Sequence, residues 1–326
     1  MYQRTLIHQL RKWSLKKNHK PLVVNQNEIF TKKNGKSYQL NEQMPLTAQN
    51  SVYTTLRNNA EFSEFYDLIA DDDAALMATS LHGSSAAMGS QGNRNVTLMD
   101  NYNYTIYVPT NESIRELIND GVLPTWDDYR MIGVKEVGDG KDDEETLELA
   151  ERYRQLCQEL NIPDSTAYSP TFNTKAKNAI KNVILNFVRY HIQDNSVAIN
   201  MAPDVYEDIE ENGETVKRVP VYVNAFESMT RNPKTSRFYP ITVDFNKGHL
   251  TATDAMNQTH HVIQDNGLYN LICREYWIKG AESPATATIY SSSDAVVHQI
   301  DSPLLSPLVN KSTLWKNEIL KELQKD

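Results

Sequence analysis

The sequence predicts a segregated α+β fold, and three observations carry that prediction. Residues 174–190 place Ala176, Ile180, Val183, Ile184, Phe187 and Val188 at three- and four-residue spacing, the mark of an amphipathic helix. After His191 the apolar period shortens to two, as in residues 219–223 and 237–245, which is the mark of strands. Helices therefore crowd the first half and strands the second, without the alternation that builds a parallel βαβ sheet. With 326 residues, 40% hydrophobic and 23% charged, the chain is an ordinary globular sequence. A chain of this size buries about 70–75% of its unfolded surface.

The elements follow in order. Residues 1–20 place Leu6, Leu10 and Trp13 near helical spacing beside Arg11, Lys12, Lys16 and Lys17, so they predict a basic amphipathic helix docked on the body. Residues 22–24 and 28–30 read as short strands, and Asn34-Gly35 is a hairpin turn leading into a strand at 37–40. Val52, Leu56, Phe62, Phe65, Leu68 and Ile69 predict a helical stretch over 50–70, broken near Asn58-Asn59. Residues 82–95 are rich in Gly, Ser and Asn and read as a loop. A β run at 104–108 closes at Pro109, Thr110 caps a helix starting at Asn111, and Gly121 ends it. The acidic run 139–145 leads into a helix carrying Tyr153 and Cys157, stopped at Pro163. Further strands are expected at 197–199, 250–253, 268–276, 287–290 and 296–300, with turns at Gly213 and Gly248.

Charge and composition exclude several functions. The formal net charge is −9, yet residues 1–20 hold six of the 33 basic residues and no acid, so the remainder sets 27 basic residues against 42 acidic ones. An acidic body lacks the footprint that nucleic-acid binding needs. No apolar run of about 18 residues occurs, so no transmembrane helix is expected. Cys157 and Cys273 stand far apart in no C-x-x-C pair; two free buried thiols and one long-range disulfide both fit.

Catalytic patterns are absent. His260-His261 lacks the i, i+4 spacing of H-E-x-x-H, and no Walker loop, G-x-G-x-x-G or G-x-S-x-G occurs. Asp71-Asp72-Asp73 and the run 139–145 lack the alternating carboxylates of an EF-hand and read as solvated or helix-capping charge. No metal, cofactor or catalytic residue is assigned. His191, at the end of an apolar helix stripe, and His298, in an alternating strand, are candidate metal ligands or general bases. With no partner nucleophile in view, both read as partly buried imidazoles hydrogen-bonded to neighbouring backbone.

Three segments together resemble the signatures of fasciclin-like (fasciclin I) domains. They are Tyr104-Thr105-Ile106-Tyr107-Val108-Pro109-Thr110-Asn111, Asn186-Phe187-Val188-Arg189-Tyr190-His191, and Ala295-Val296-Val297-His298-Gln299-Ile300-Asp301-Ser302-Pro303-Leu304. Their order and settings match the family's Pro-Thr-Asn, Tyr-His and closing His–Ile-Asp motifs. Tyr107-Val108 stands where the family often has Phe-Ala, and Asp294-Ala295 where Asn-Gly is common.

The resemblance implies a β-wedge of two sheets with surrounding helices over residues 49–310, with insertions near 125–170 and 201–235. Residues 1–48 form an N-terminal extension and 311–326 a C-terminal helical tail. The motif residues Pro109, Thr110, Asn111, Tyr190, His191, His298 and Asp301 are implied to be structural, with the His191 imidazole bonding backbone near Thr110 or Asn111. The implied role is a non-enzymatic adhesion or structural module of bacterial cell-surface type that binds a cell-surface or matrix protein or glycan. It further implies export, a lipid anchor on the precursor and Met1 not being the precursor's start. Residues 34–46 share the turn–strand–Pro-Leu shape of 294–305, which fits the end of a preceding fasciclin-like unit in tandem. Two other readings stand beside it: a carbohydrate-active or other hydrolytic enzyme on the same scaffold, using some of the 17 tyrosines for sugar stacking, and a pilus-like assembly subunit.

Overall fold

The computed structural model of the chain describes residues 50–69, 103–138, 142–199, 223–245, 248–279 and 288–324, with residues 140 and 201 and strand segments within 16–40 and 205–221. Helix α1 (Val52–Arg57), one 3-10 turn (Ala60–Phe62) and α2 (Ser63–Ile69) open the body. The break between them falls at Asn58-Asn59, as the sequence predicts. Strand β1 (Tyr104–Pro109) leads directly into α3 (Asn111–Asn119). Thr110 caps α3 by accepting the Ser113 N–H, and Gly121 leaves the helix at φ +69°, a conformation favouring glycine.

Three helices then precede the longest one. They are α4 (Trp126–Met131), α5 (Glu144–Glu159) and α6 (Asp164–Ala167). Thr125 and Asp128 form a capping box for α4, a start signal that apolar periodicity does not register. The acidic run supplies the cap of α5, where Asp143 accepts the Thr146 N–H at 2.8 Å. That helix ends before Pro163, with Asn161 turning left-handed at φ 53°; Pro163 itself precedes α6. Helix α7 (Pro170–Tyr190) starts ahead of residue 174 because Ser169 caps it and Pro170 occupies its first turn.

Eight strands make one mixed sheet. After β1 come β2 (Ile192–Asp194), β3 (Ala225–Arg231), β4 (Phe238–Asp244), β5 (Thr251–Thr253), β6 (Thr259–His261), β7 (Leu271–Lys279) and β8 (Thr288–Ile300). Their spatial order is β6-β5-β4-β3-β2-β1-β8-β7. From β1 to β6 the neighbours are antiparallel, while β8 inserts parallel to β1 and antiparallel to β7. The sheet curls until its β6 end meets the end of β8. Val262 bridges Ile300, the Ile263 N–H donates to the Gln299 carbonyl at 2.9 Å, and the Asp301 N–H to the His261 carbonyl at 3.0 Å. β2 and β3 share a single ladder pair, Gln193 with Ser228, which lets the sheet bend there. The strand pairing describes one curled mixed sheet, with a single ladder pair at β2/β3.

The curl creates two apolar cores. Outside it, Ile106 and Val108 of β1 pack with Ile180, Ile184 and Phe187 of α7. Inside it lie Tyr107, Ile241, Val243 and Ile300. β1 is buried along its whole length, as a strand covered on both faces must be. Helix α8 (Trp315–Leu323) packs on α7, where a terminal helical tail was expected.

Several expectations are corrected. Lys16–Lys17 pairs with Lys20–Pro21 as short strands, so the helix expected over 1–20 does not hold there; the rest of that segment lies outside the described residues. Residues 197–199 are buried but not a strand, because the chain leaves the sheet at Asn195, φ 64°. The strands expected at 287–290 and 296–300 are one, β8. β3 joins the sheet, and Val205–Glu211 pairs with Glu214–Val221 as a hairpin of its own. Val24–Lys32 pairs with Gly35–Leu40 as the Asn-Gly signal predicts. The loop at 82–95 lies outside the described residues. Cys157 and Cys273 are free and buried, which leaves the two-thiol alternative.

Thr110→Ala removes the cap of α3 and is expected to cost about 1 kcal/mol. Urea denaturation should show a lower midpoint at unchanged slope, with Thr110→Ser close to wild type.

Candidate functional site

The three signature segments meet around the junction of β1, β8 and the end of α7. Parallel register sets Tyr107 opposite His298 and Pro109 opposite Ile300. The Tyr107 and His298 rings stack with centroids 6.0 Å apart, and the Tyr107 hydroxyl donates to Gln193 Oε1 at 3.0 Å. Burial pushes the Tyr107 phenol well above its ordinary range, so it stays a donor.

His298 and His191 are both fully enclosed but hold opposite tautomers. His298 Nε2–H donates to the Val197 carbonyl at 2.8 Å, while Nδ1 accepts the Asn270 N–H at 3.2 Å. His191 Nδ1–H donates to the Phe187 carbonyl at 2.8 Å, while Nε2 accepts the Leu304 N–H at 3.0 Å. Each ring thus has one donor and one acceptor and fits only as neutral imidazole. Burial pushes His298 down to about 4, with the Val197 carbonyl opposing. Burial likewise pushes His191 down to about 3; the Phe187 carbonyl opposes, His260 adds to the drop and Asp254 opposes it.

The partners expected for His191 near Thr110 or Asn111 are a correction. Thr110 is occupied with Ser113 at the start of α3. The Asn111 side chain donates to the Ala60 carbonyl at 2.8 Å and to Ser63 Oγ at 3.1 Å, and accepts the Glu64 N–H at 3.1 Å. It ties α3 to the segment before α2. His191, the C-cap of α7, turns its ring to residue 304 instead. The Tyr190 hydroxyl donates to the Pro240 carbonyl at 3.1 Å and accepts the Ala255 N–H at 2.5 Å. Asp301 is exposed and accepts the His261 N–H at 3.1 Å.

One constellation escaped the sequence reading. His260 Nε2–H donates to Asp254 Oδ2 at 3.0 Å, and its Nδ1 lies 2.8 Å from Ser302 Oγ. Both His260 and Asp254 are buried. Burial acts to raise the Asp254 carboxyl, but hydrogen bonds from His260 and from the Gln258 and Leu305 N–H groups outweigh it and hold the group below its usual range. Carboxylate, imidazole and hydroxyl in line are the makings of nucleophilic catalysis. Two features turn the line toward a structural role. Asp301 Oδ1 lies 3.0 Å from Ser302 Oγ, so negative charge developing there meets a carboxylate. Asp254 also accepts the Met256, Gln258 and Leu305 N–H groups, so it staples a turn to a passing segment. Spacing within the β5–β6 hairpin places Asp254 near His260, but only the curl of the sheet delivers Ser302.

Among the described residues no group of three His, Cys, Asp or Glu side chains is arranged to hold a metal ion. No described helix is long and apolar enough to cross a membrane.

No family model matches the sequence, and no curated protein matches it significantly. Among solved structures, the fold is similar to a pair of FAS1 domains from the insect cell adhesion molecule fasciclin I, at a TM-score of 0.30 and 11% identity. The similarity covers 85% of this chain, which spans 57% of that one.

His298→Ala leaves the buried Val197 carbonyl and Asn270 N–H unpaired. It is expected to cost about 2–4 kcal/mol, measured by chemical denaturation. The two depressed histidines also set a pH dependence. The unfolded chain binds their protons near pH 6.5 and the folded chain only near 4 and 3. Unfolding free energy should therefore fall steadily as pH drops from about 6.5 toward 4, read from urea curves at each pH.

Proposed function

We propose that this chain is a non-enzymatic adhesion or structural module of fasciclin-like type, binding a protein or glycan at a cell surface or in a matrix. One observation carries the reading: the three resembling segments, far apart in sequence, converge on one packed centre through the β1–β8 ladder and the His191–Leu304 bond. Their polar side chains are spent on backbone: His298 on Val197 and Asn270, His191 on Phe187 and Leu304, Tyr190 on Pro240 and Ala255. Such residues hold a scaffold, so the partner surface belongs to the exposed exterior. A domain over 49–310 with a helical tail, a preceding tandem unit, and export with a lipid anchor on the precursor are parts of the same proposal.

The second reading, a hydrolase, is favoured by the Asp254–His260–Ser302 line alone. Both are tested with the full chain. A glycan array and a panel of matrix proteins should yield saturable binding that survives His298→Asn in any folded sample. A fluorophosphonate probe should leave Ser302 unlabelled. Uniform failure to bind together with labelling of Ser302 that is lost in His260→Ala would overturn the adhesive reading in favour of the hydrolase.

A further inference from the structure

Directly after β8 the chain runs over the end of α7 and the β5–β6 hairpin, and four residues in this stretch are fastened through titratable side chains. Asp301 Oδ1 accepts the His261 N–H at 3.1 Å. Ser302 Oγ lies 2.8 Å from His260 Nδ1. The Leu304 N–H donates to His191 Nε2 at 3.0 Å, and the Leu305 N–H to Asp254 Oδ2 at 2.9 Å. Leu304 seats in the core inside the curl and Leu305 in the core outside it. The segment thus closes both cores while its fastening is polar.

We propose that residues 301–305 form an acid-released strap, opened ahead of global unfolding by protonation of His191. The four fastenings respond differently to acid. Protonating His260 costs no hydrogen bond: its new Nδ1–H points at Ser302 Oγ, and the hydroxyl proton turns to Asp301 Oδ1. Protonating His191 replaces the acceptor of the Leu304 N–H by a second donor, so two N–H groups face each other in a buried site. The strap must lift before the ring can hold a proton.

The charges around His191 add to this. From the β5–β6 hairpin, Asp254 and His260 act on it, and Asp254 is already engaged by His260 and Leu305. From α2, Phe65 packs on the ring, and the nearby Glu64 is paired with Arg115 while Asp67 is exposed. From α7 itself, the Phe187 ring packs at a tilt against the imidazole, centroids 4.4 Å apart, and Arg189 is the neighbouring cation in sequence. β1 faces it with the uncharged Tyr107, whose N–H donates to the His191 carbonyl. The strap brings Asp301, held by His261. Of these described carboxylates, Asp254, Glu64 and Asp301 are engaged with other groups, and Asp67 is exposed to solvent. Burial, with His260 adding, holds the enclosed ring at about 3, whereas a hydrated imidazole titrates near 6.5.

Native-state hydrogen exchange on the full chain tests the strap, read as protection factors for Leu304 and Leu305 against Ile184 in α7. The two strap amides should be less protected than Ile184 at pH 7. Their protection should fall by about tenfold per pH unit below about 6.5. His191→Gln, whose amide oxygen can still accept the Leu304 N–H without titrating, should keep strap protection level between pH 7 and 5. Equal protection of strap and Ile184 at every pH would show that the strap opens only with the whole fold and overturn the proposal. Strap protection that does not change with pH, or a His191→Gln chain that keeps the wild-type slope, would overturn it as well. Should His191→Gln not fold, the wild-type difference between strap and helix decides alone.

Discussion

The parallel ladder between β1 and β8 is the constraint on which the remaining structure depends. Tyr104 to Pro109 pair in register with Ala295 to Ile300. β1 is buried on both faces, so its backbone groups have no water and need partners on both edges. β2 satisfies one edge and β8 the other. Parallel neighbours cannot be joined by a tight hairpin. The chain between them therefore has to travel, and it does so as the helical layer and then the antiparallel meander from β2 to β6. The curl of the sheet follows, since the meander's last strand must come back to the end of β8.

The junction holds more buried polar groups than an apolar core would. Neutral histidines in opposite tautomers, the Tyr190 hydroxyl and a carboxylate carry specific backbone bonds, and the Tyr107 hydroxyl donates to the Gln193 side chain. Such groups are costly when unpaired and geometrically demanding when paired. They bind segments that are not strands, residues 197–199, 270 and 301–305, into fixed positions. Gln193 Nε2 stands apart: it is buried without a described partner. It sits in the single ladder pair joining β2 to β3.

Much of the fold was legible in local sequence. The stripe of α7, the Thr110 cap, the break at Asn58-Asn59 and the Asn34-Gly35 hairpin all express rules that act within a few residues. The misses share a cause. Residues 197–199 have strand composition, but Asn195 at φ 64° takes them out of the sheet. β3 alternates faces as a strand should; it pairs with β4 along a ladder and with β2 through one pair, partners that no neighbouring residue reveals. α4 is short and is announced by its capping box rather than by periodicity. The candidate site was half legible: His191 and His298 stand out by their positions on apolar elements. Their partners, and the Asp254–His260–Ser302 line, depend on residues brought together from distant parts of the chain.

The sequence by itself determined where the longer helices and most strands run and that the two halves differ in kind. Those properties follow from side-chain periodicity, capping and turn chemistry, which are local energies. Only the tertiary structure decided how the strands order into one curled sheet, which nitrogen of each histidine holds its proton, and that residues 301–305 lie across the Tyr-His end of α7. Those outcomes depend on which buried donor finds which buried acceptor, and that choice is made by the closing of the sheet, not by any neighbouring residue in the chain.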